Sequence, residues 1–209
     1  FITEKGEMFG EEYTLVACAD YILSKNKGNV VSNLSSSRAL RDIAQKHGVE
    51  YAASAVGEVN VVAKMKEVNA IIGGEGNGGI IFPELHYGRD ALVGVALFLS
   101  LLTDKNITVS ALRKSYPAYY MSKNKIELSA GLNPDKVLAA VKERYAHEPI
   151  TTIDGVKIDF ANSWVHLRKS NTEPIIRIYT EAKSQVEADA LAQRFLEEIK
   201  ELVNWLDDL

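Results

Sequence analysis

A second cysteine is missing, and with it any internal disulfide: the 209 residues hold one, Cys18. It stands among Ala and Val in a stretch that reads as helix, where a thiol is expected to be buried and inert. A core held by packing alone fits a reducing cytoplasm. A long hydrophobic run is also lacking. The longest, ALVGVALFLSLL at 91–102, is too short to cross a bilayer and is interrupted by Gly94 and Ser100, so no membrane partner is expected. Positive charge is not in excess either. With 24 Lys and Arg against 28 Asp and Glu, a formal net charge of −4, no broad basic surface offsets nucleic-acid phosphates. Small anions remain open, because a local basic loop can hold them. The sequence has no Cys/His cluster for zinc, no D-x-D-x-D-G loop for calcium, no G-x-S-x-G elbow and no GxxxxGK[ST] phosphate loop. Neither a metal site nor a catalytic nucleophile is therefore expected within these residues.

What is present suffices for folding. At 46% hydrophobic and 25% charged, the chain can build one good core or two small ones. Residues 11–26 read as a helix with acidic residues in the first turn. A buried strand at 29–34, a helix at 35–48 with serine caps, a strand at 49–53, a helix at 57–69 and a strand at 70–75 ending in glycines follow. This alternation predicts a mixed, largely parallel α/β layer, whose ligands belong beyond the carboxyl ends of the strands. After a helix at 89–103 the pattern changes. A strand at 119–128, a helix at 133–146, a hairpin at 150–160 turning at Asp154-Gly155, strands at 163–168 and 175–182, and a last helix at 184–205 predict a smaller α+β domain, an antiparallel sheet with helices on one face. The expected division is residues 1–10 as the tail of a preceding domain, 11–115 as the α/β domain and 116–209 as the α+β domain. The opening FITEKGEMF, with Lys5-Gly6 at a turn, looks like the end of a hairpin begun elsewhere, so the chain is expected to be a fragment.

Three loops carry polar groups in patterns that suit ligands. In RKSNTEP, 168–174, Arg168 offers a planar fork of donors, Ser170 and Thr172 hydroxyls, Asn171 an amide and the turn its backbone N–H groups, a set suited to phosphate. Arg177, in the strand that follows, points either to the same ligand or to solvent. An ordinary polar turn has the same composition. In GGEGNGG, 73–79, glycines let a ligand approach the main chain, and Glu75 and Asn77 are candidates for sugar hydroxyls. A carboxylate among glycines is expected to lack local packing, which leaves it open to such hydroxyls; a solvated acid in a mobile glycine loop is the competing reading. In PELHYGRDA, 83–91, Asp90 reads as a helix N-terminal residue, and His86 as a proton carrier or an unremarkable surface histidine.

GGEGNGG followed about ninety residues later by RKSNTEPIIRIYTEA resembles the α-D-phosphohexomutase superfamily. That family's sugar loop reads roughly G-E-x-S-G-[HG] and its phosphate loop R-x-S-[GN]-T-[ET]-P, and AVGEVNVVAKMKE at 55–67, ahead of both, also looks like a loop and helix of that family. The resemblance spans essentially all 209 residues. It implies the end of the family's second domain followed by its third and fourth, without the phosphoserine loop or the D-x-D-x-D magnesium loop. It further implies reversible transfer of phosphate between positions 1 and 6 of a hexose through a hexose bisphosphate intermediate, with Mg²⁺ held by residues outside this chain. The implied partners are a small phosphosugar and the missing N-terminal domains of the same chain. Glu75 and Asn77 would hold sugar hydroxyls, and Arg168, Ser170, Asn171, Thr172 and Arg177 the phosphate. Asn77 and Gly79 depart from the family's frequent Ser and His, so the role of that His is lost unless His86 or another group substitutes. Glucosamine phosphate is the favoured sugar, with glucose and mannose phosphates as alternatives. A noncatalytic phosphosugar-binding module is the reading from another class.

Overall fold

The computed structural model describes residues 1–128, 133–170 and 173–207. They form two units, Phe1–Ala118 and Tyr119–Leu209.

The first unit runs α1 (Glu11–Lys25), β1 (Asn29–Asn33), α2 (Ala39–His47), β2 (Tyr51–Ser54), α3 (Glu58–Glu67), β3 (Ala70–Glu75), β4 (Gly79–Phe82), β5 (His86–Arg89), α4 (Ala91–Lys105) and α5 (Val109–Lys114). Its sheet has the order β2-β1-β3-β4-β5. The first three strands are parallel and the last three antiparallel, so the sheet is mixed. Two successive glycines show how the layers close. A Cβ at Gly73 would stand 2.6 Å from the Met65 sulfur of α3, whereas one at Gly74 would meet Leu15 of α1 at 3.3 Å. Successive strand residues point to opposite faces, so α3 covers one face and α1 the other. The apolar side chains that make this possible, among them Leu15, Val16, Val31, Met65, Ile72, Ile80 and Phe98, are all buried. Cys18 is among them. Its thiol lies 3.5 Å from the Gly94 carbonyl oxygen, and burial pushes it up to about 12.

Two local expectations differ from what forms. The helix expected from Ser35 starts at Ala39, because Asn33 Oδ1 accepts from the Ser35 backbone N–H and the Ser36 hydroxyl at 3.0 Å each. Such side-chain bonds offer the backbone an alternative to the first helical turn. The hairpin β4–β5 is also additional. GIIF is an apolar run of four, too short for periodicity to separate it from its surroundings.

The second unit runs β6 (Tyr120–Glu127), α6 (Pro134–Arg144), β7 (Ile150–Thr151), β8 (Val156–Asp159), β9 (Trp164–Lys169), β10 (Ile175–Ala182) and α7 (Gln185–Asp207). Asn133 caps α6 by accepting from Asp135 N, with Pro134 at the first helical position, where a missing N–H costs nothing. The sheet order is β6-β10-β9-β8-β7, antiparallel throughout. Val165 and Leu167 of β9 and Ile176 and Ile178 of β10 pack with Val137 and Val141 of α6 and with Phe195 and Ile199 of α7. Both helices thus lie on one face, as expected for α+β, and the alternate residues of the strands are left on the other. Among the described residues no helix is long and apolar enough to cross a membrane.

Candidate functional site

In the first unit the carboxyl ends of the parallel strands converge on Glu75. It closes β3, Asn33 closes β1, and Gly57 follows β2 as the N-cap of α3. Glu75 is 6% exposed. Its Oε1 accepts from Asn33 Nδ2 at 2.8 Å and from the Gly57 backbone N–H at 3.1 Å, and its Oε2 stands 3.5 Å from Arg89 Nη1. The view of Glu75 as a carboxylate without local packing, solvated in a glycine loop, is therefore corrected. A buried carboxylate requires donors, and here a strand-end amide, a helix N-terminus and a guanidinium supply them. Asn33, Gly57 and Arg89 were not singled out by the sequence. Their signal was positional: two of the three sit at or just beyond the end of a parallel strand.

The glycines around Glu75 fit close approaches. A Cβ at Gly76 would fall on the Glu12 carboxylate, which accepts from Ser37 N at 2.9 Å, and Gly76 N donates to Ser36 Oγ at 2.9 Å. Asn77 is exposed, and its Oδ1 accepts from Gly79 N at 3.1 Å. His86 pairs in register with Phe82, and its Nε2 lies 3.0 Å from Asp90 Oδ2. Asp90 caps α4 by accepting from Leu92 N and Val93 N at 2.9 and 3.0 Å. Those backbone bonds, with His86, hold its carboxyl below the usual range. The space above Gly79 belongs to Arg89: a Cβ at Gly79 would lie 2.6 Å from Arg89 Cδ.

In the second unit Arg168 and Arg177 are directly opposed in the β9–β10 register, and Lys125 of β6 is directly opposed to Arg177. Opposed residues of antiparallel strands share a face, so the three cations form one row on the face that α6 and α7 leave uncovered. Arg177, open between two orientations in the sequence, lies beside Arg168. Arg168 Nη1 is 3.5 Å from Asp154 Oδ2, and Lys125 Nζ is 3.8 Å from Glu127 Oε1. Among the described residues no carboxylate pairs with Arg177. Ser170 N donates to Ile175 O at 3.0 Å, which closes the loop base. Asn171 and Thr172 lie outside the described residues.

His166, two residues before Arg168, is 2% exposed, and its Nε2 donates to the Asp154 carbonyl oxygen at 2.6 Å. It pins the turn that carries the Arg168 partner. Burial, then the nearby Lys157 charge, against the Asp154 bond, lower its pKa to about 4. The imidazole is neutral in the fold and takes up a proton on unfolding below about pH 6.5, so stability should fall as pH drops from about 6.5 to 4. Urea unfolding across that range measures the slope, and His166→Gln should flatten it; an unchanged slope in the variant would assign the effect elsewhere.

Comparison with known proteins gives this geometry its context. Residues 10–120 match the model of the phosphoglucomutase/phosphomannomutase α/β/α domain III, and residues 125–198 that of the phosphoglucomutase/phosphomannomutase C-terminal domain. The chain belongs to the phosphoglucomutase/phosphomannomutase family. It is 32% identical over 205 residues to a probable phosphoglucosamine mutase of Methanopyrus kandleri, covering 97% of this chain and 45% of that protein. It is 36% identical over 191 residues to a phosphoglucomutase/phosphomannomutase of Thermococcus kodakarensis, covering 90% and 41%. A crystal structure of a phosphoglucomutase/phosphomannomutase family protein from Burkholderia thailandensis shares the fold at a TM-score of 0.81 and 24% identity, covering 97% of this chain and 44% of that one. The chain thus spans less than half the length of these family members. Among its described residues no three His, Cys, Asp or Glu side chains gather to hold a metal ion.

Proposed function

We propose that this chain is the substrate-binding part of a phosphohexomutase that interconverts hexose 1-phosphate and hexose 6-phosphate. The observation that carries the reading is the pair of ligand-ready loops on the two matched family domains: Glu75 held at converging strand ends, and Arg168 beside Arg177 with no carboxylate on the latter. A carboxylate has about four lone-pair sites. Asn33, Gly57 and Arg89 use three, so Glu75 has one left, on Oε2, for a sugar hydroxyl. Asn77, exposed beside it, adds an amide. Arg168, Ser170, Asn171, Thr172 and Arg177 hold the phosphate that is not reacting, and that binding energy positions the reactive end. The phosphoserine and the Mg²⁺ ligands come from residues outside this chain. Mg²⁺ supplies charge compensation to the transferred phosphoryl group when bound.

Glucosamine phosphate is the favoured sugar, supported by the name of the Methanopyrus kandleri relative; the Thermococcus kodakarensis relative supports glucose or mannose phosphate as the alternative. The 209 residues alone are expected to bind hexose phosphates weakly and to show no turnover. A coupled mutase assay with Mg²⁺ and a hexose bisphosphate, run on the chain and on the protein extended to the length of its relatives, tests this. Activity in the longer protein alone, highest on glucosamine phosphate, is the expected result. Binding without turnover in both would favour a noncatalytic phosphosugar-binding module.

A further inference from the structure

The Arg89 side chain reaches across a strand. It starts on β5, passes over β4 at Gly79, and brings Nη1 to 3.5 Å from Glu75 Oε2 on β3. Gly79 is directly opposed to Glu75 in the β3–β4 register, so any side chain there would stand between the two. The lack of a Cβ at Gly79 is what opens the path, since one would lie 2.6 Å from Arg89 Cδ. At its other end Arg89 is anchored twice by Glu58, the first residue of α3. Nε donates to Oε2 at 2.8 Å and the Arg89 backbone N–H donates to Oε1 at 3.0 Å. Those two contacts hold the Glu58 carboxyl below the usual range. Glu58 also follows Gly57, whose N–H binds the other oxygen of Glu75.

We propose that Arg89 is a positioning residue for Glu75, fixed by Glu58 and admitted by Gly79. Glu75 is then gripped on both oxygens: Oε1 by Asn33 and Gly57, and Oε2 by Arg89. Without Arg89 the carboxylate is left with its Oε1 contacts alone, so it swings Oε2, the oxygen left for the sugar, and loosens its hold on Asn33 and Gly57. The guanidinium also offsets charge between two carboxylates that would otherwise repel each other and open the α3 N-terminus. The functional half of this inference rests on the phosphohexomutase reading above; the positional half does not.

The test uses Arg89→Met, Arg89→Lys and Gly79→Ala. In the 209-residue chain, NMR should show shifted Asn33 side-chain amide and Gly57 backbone resonances, with Gly57 exchanging about 10-fold faster, in both Arg89→Met and Gly79→Ala. Arg89→Lys should restore part of the protection, because it keeps the charge without the fork. In the longer protein, Arg89→Met should lower kcat on hexose phosphates by up to about 100-fold with a smaller change in KM, as a misplaced contact group does. Added to Glu75→Gln, it should lower kcat little further. Unchanged Gly57 and Asn33 signals would overturn the positioning role whatever the activity. Losses from Arg89→Met and Glu75→Gln that multiply would overturn the link between the two residues. A wild-type longer protein without mutase activity would overturn the proposed function and leave the NMR result to decide the positioning.

Discussion

Replacing Asp20 by alanine is expected to destabilise the first unit by about 1–3 kcal/mol, the cost of taking a shared acceptor from its donors, of which Lys46 and Lys105 are exposed enough to regain water. Asp20 lies on α1 and its side chain is 3% exposed. Oδ1 accepts from Lys46 Nζ at 3.2 Å and lies 2.7 Å from His47 Nε2, while Oδ2 accepts from Lys105 Nζ at 3.0 Å and the Tyr116 hydroxyl at 3.1 Å. One carboxylate thus ties α1 to the last turns of α2 and α4 and to the segment after α5. Burial raises its pKa, but His47, Lys105 and Lys46 together outweigh that and hold it at about 2. An unfolded Asp has a pKa near 3.9, so this contribution is complete above about pH 4 and is lost as pH falls towards 2. Hydrogen exchange of buried α1 amides should show the full loss for Asp20→Ala at pH 7 and a narrowing gap from wild type below pH 4. Asp20→Asn should fall between, because an amide keeps one acceptor oxygen. A variant as stable as wild type at pH 7 would mean that the four donors are as well satisfied by water.

Asp20 also shows where sequence reading stops. Its helix was legible, because apolar residues dominate 13–23, but a single acid among them does not say which cations approach it. Lys46, His47 and Lys105 lie 26 to 85 residues away along the chain. The two sheets were legible from alternation and from breakers, and Asp154-Gly155 announced its turn: Gly155 has φ +70°, and a Cβ there would strike the Leu167 carbonyl oxygen. Glu75 was legible as a candidate, but its surroundings were not. Asn33, Gly57 and Arg89 come from three different segments, and only the pairing of β1, β3, β4 and β5 brings them to one carboxylate. Arg177 had two possible faces by strand alternation. Its register with Arg168, set by the length of the loop between β9 and β10, was needed to choose.

That register makes the second large effect a test with two signs. Arg168→Ala is expected to weaken hexose phosphate binding by about 1.5–3 kcal/mol, the range for a hydrogen bond to a charged group. Arg168→Lys should recover part of it, since an ammonium keeps the charge but not the planar fork. Arg177→Ala should also weaken binding, yet it should leave the fold as stable as wild type or slightly more so. Like charges directly opposed across strands are destabilising, and Arg177 stands between Arg168 and Lys125 without a carboxylate of its own among the described residues. A ligand phosphate is the group that would relieve that repulsion. Wild-type stability should therefore rise more on adding hexose phosphate than that of Arg177→Ala, and both binding and repulsion should weaken with added salt. Isothermal titration and thermal unfolding at low and high ionic strength read all four quantities. If Arg177→Ala lost stability and kept its affinity, the row would be a structural feature of the sheet and the phosphate assignment of Arg177 would be wrong.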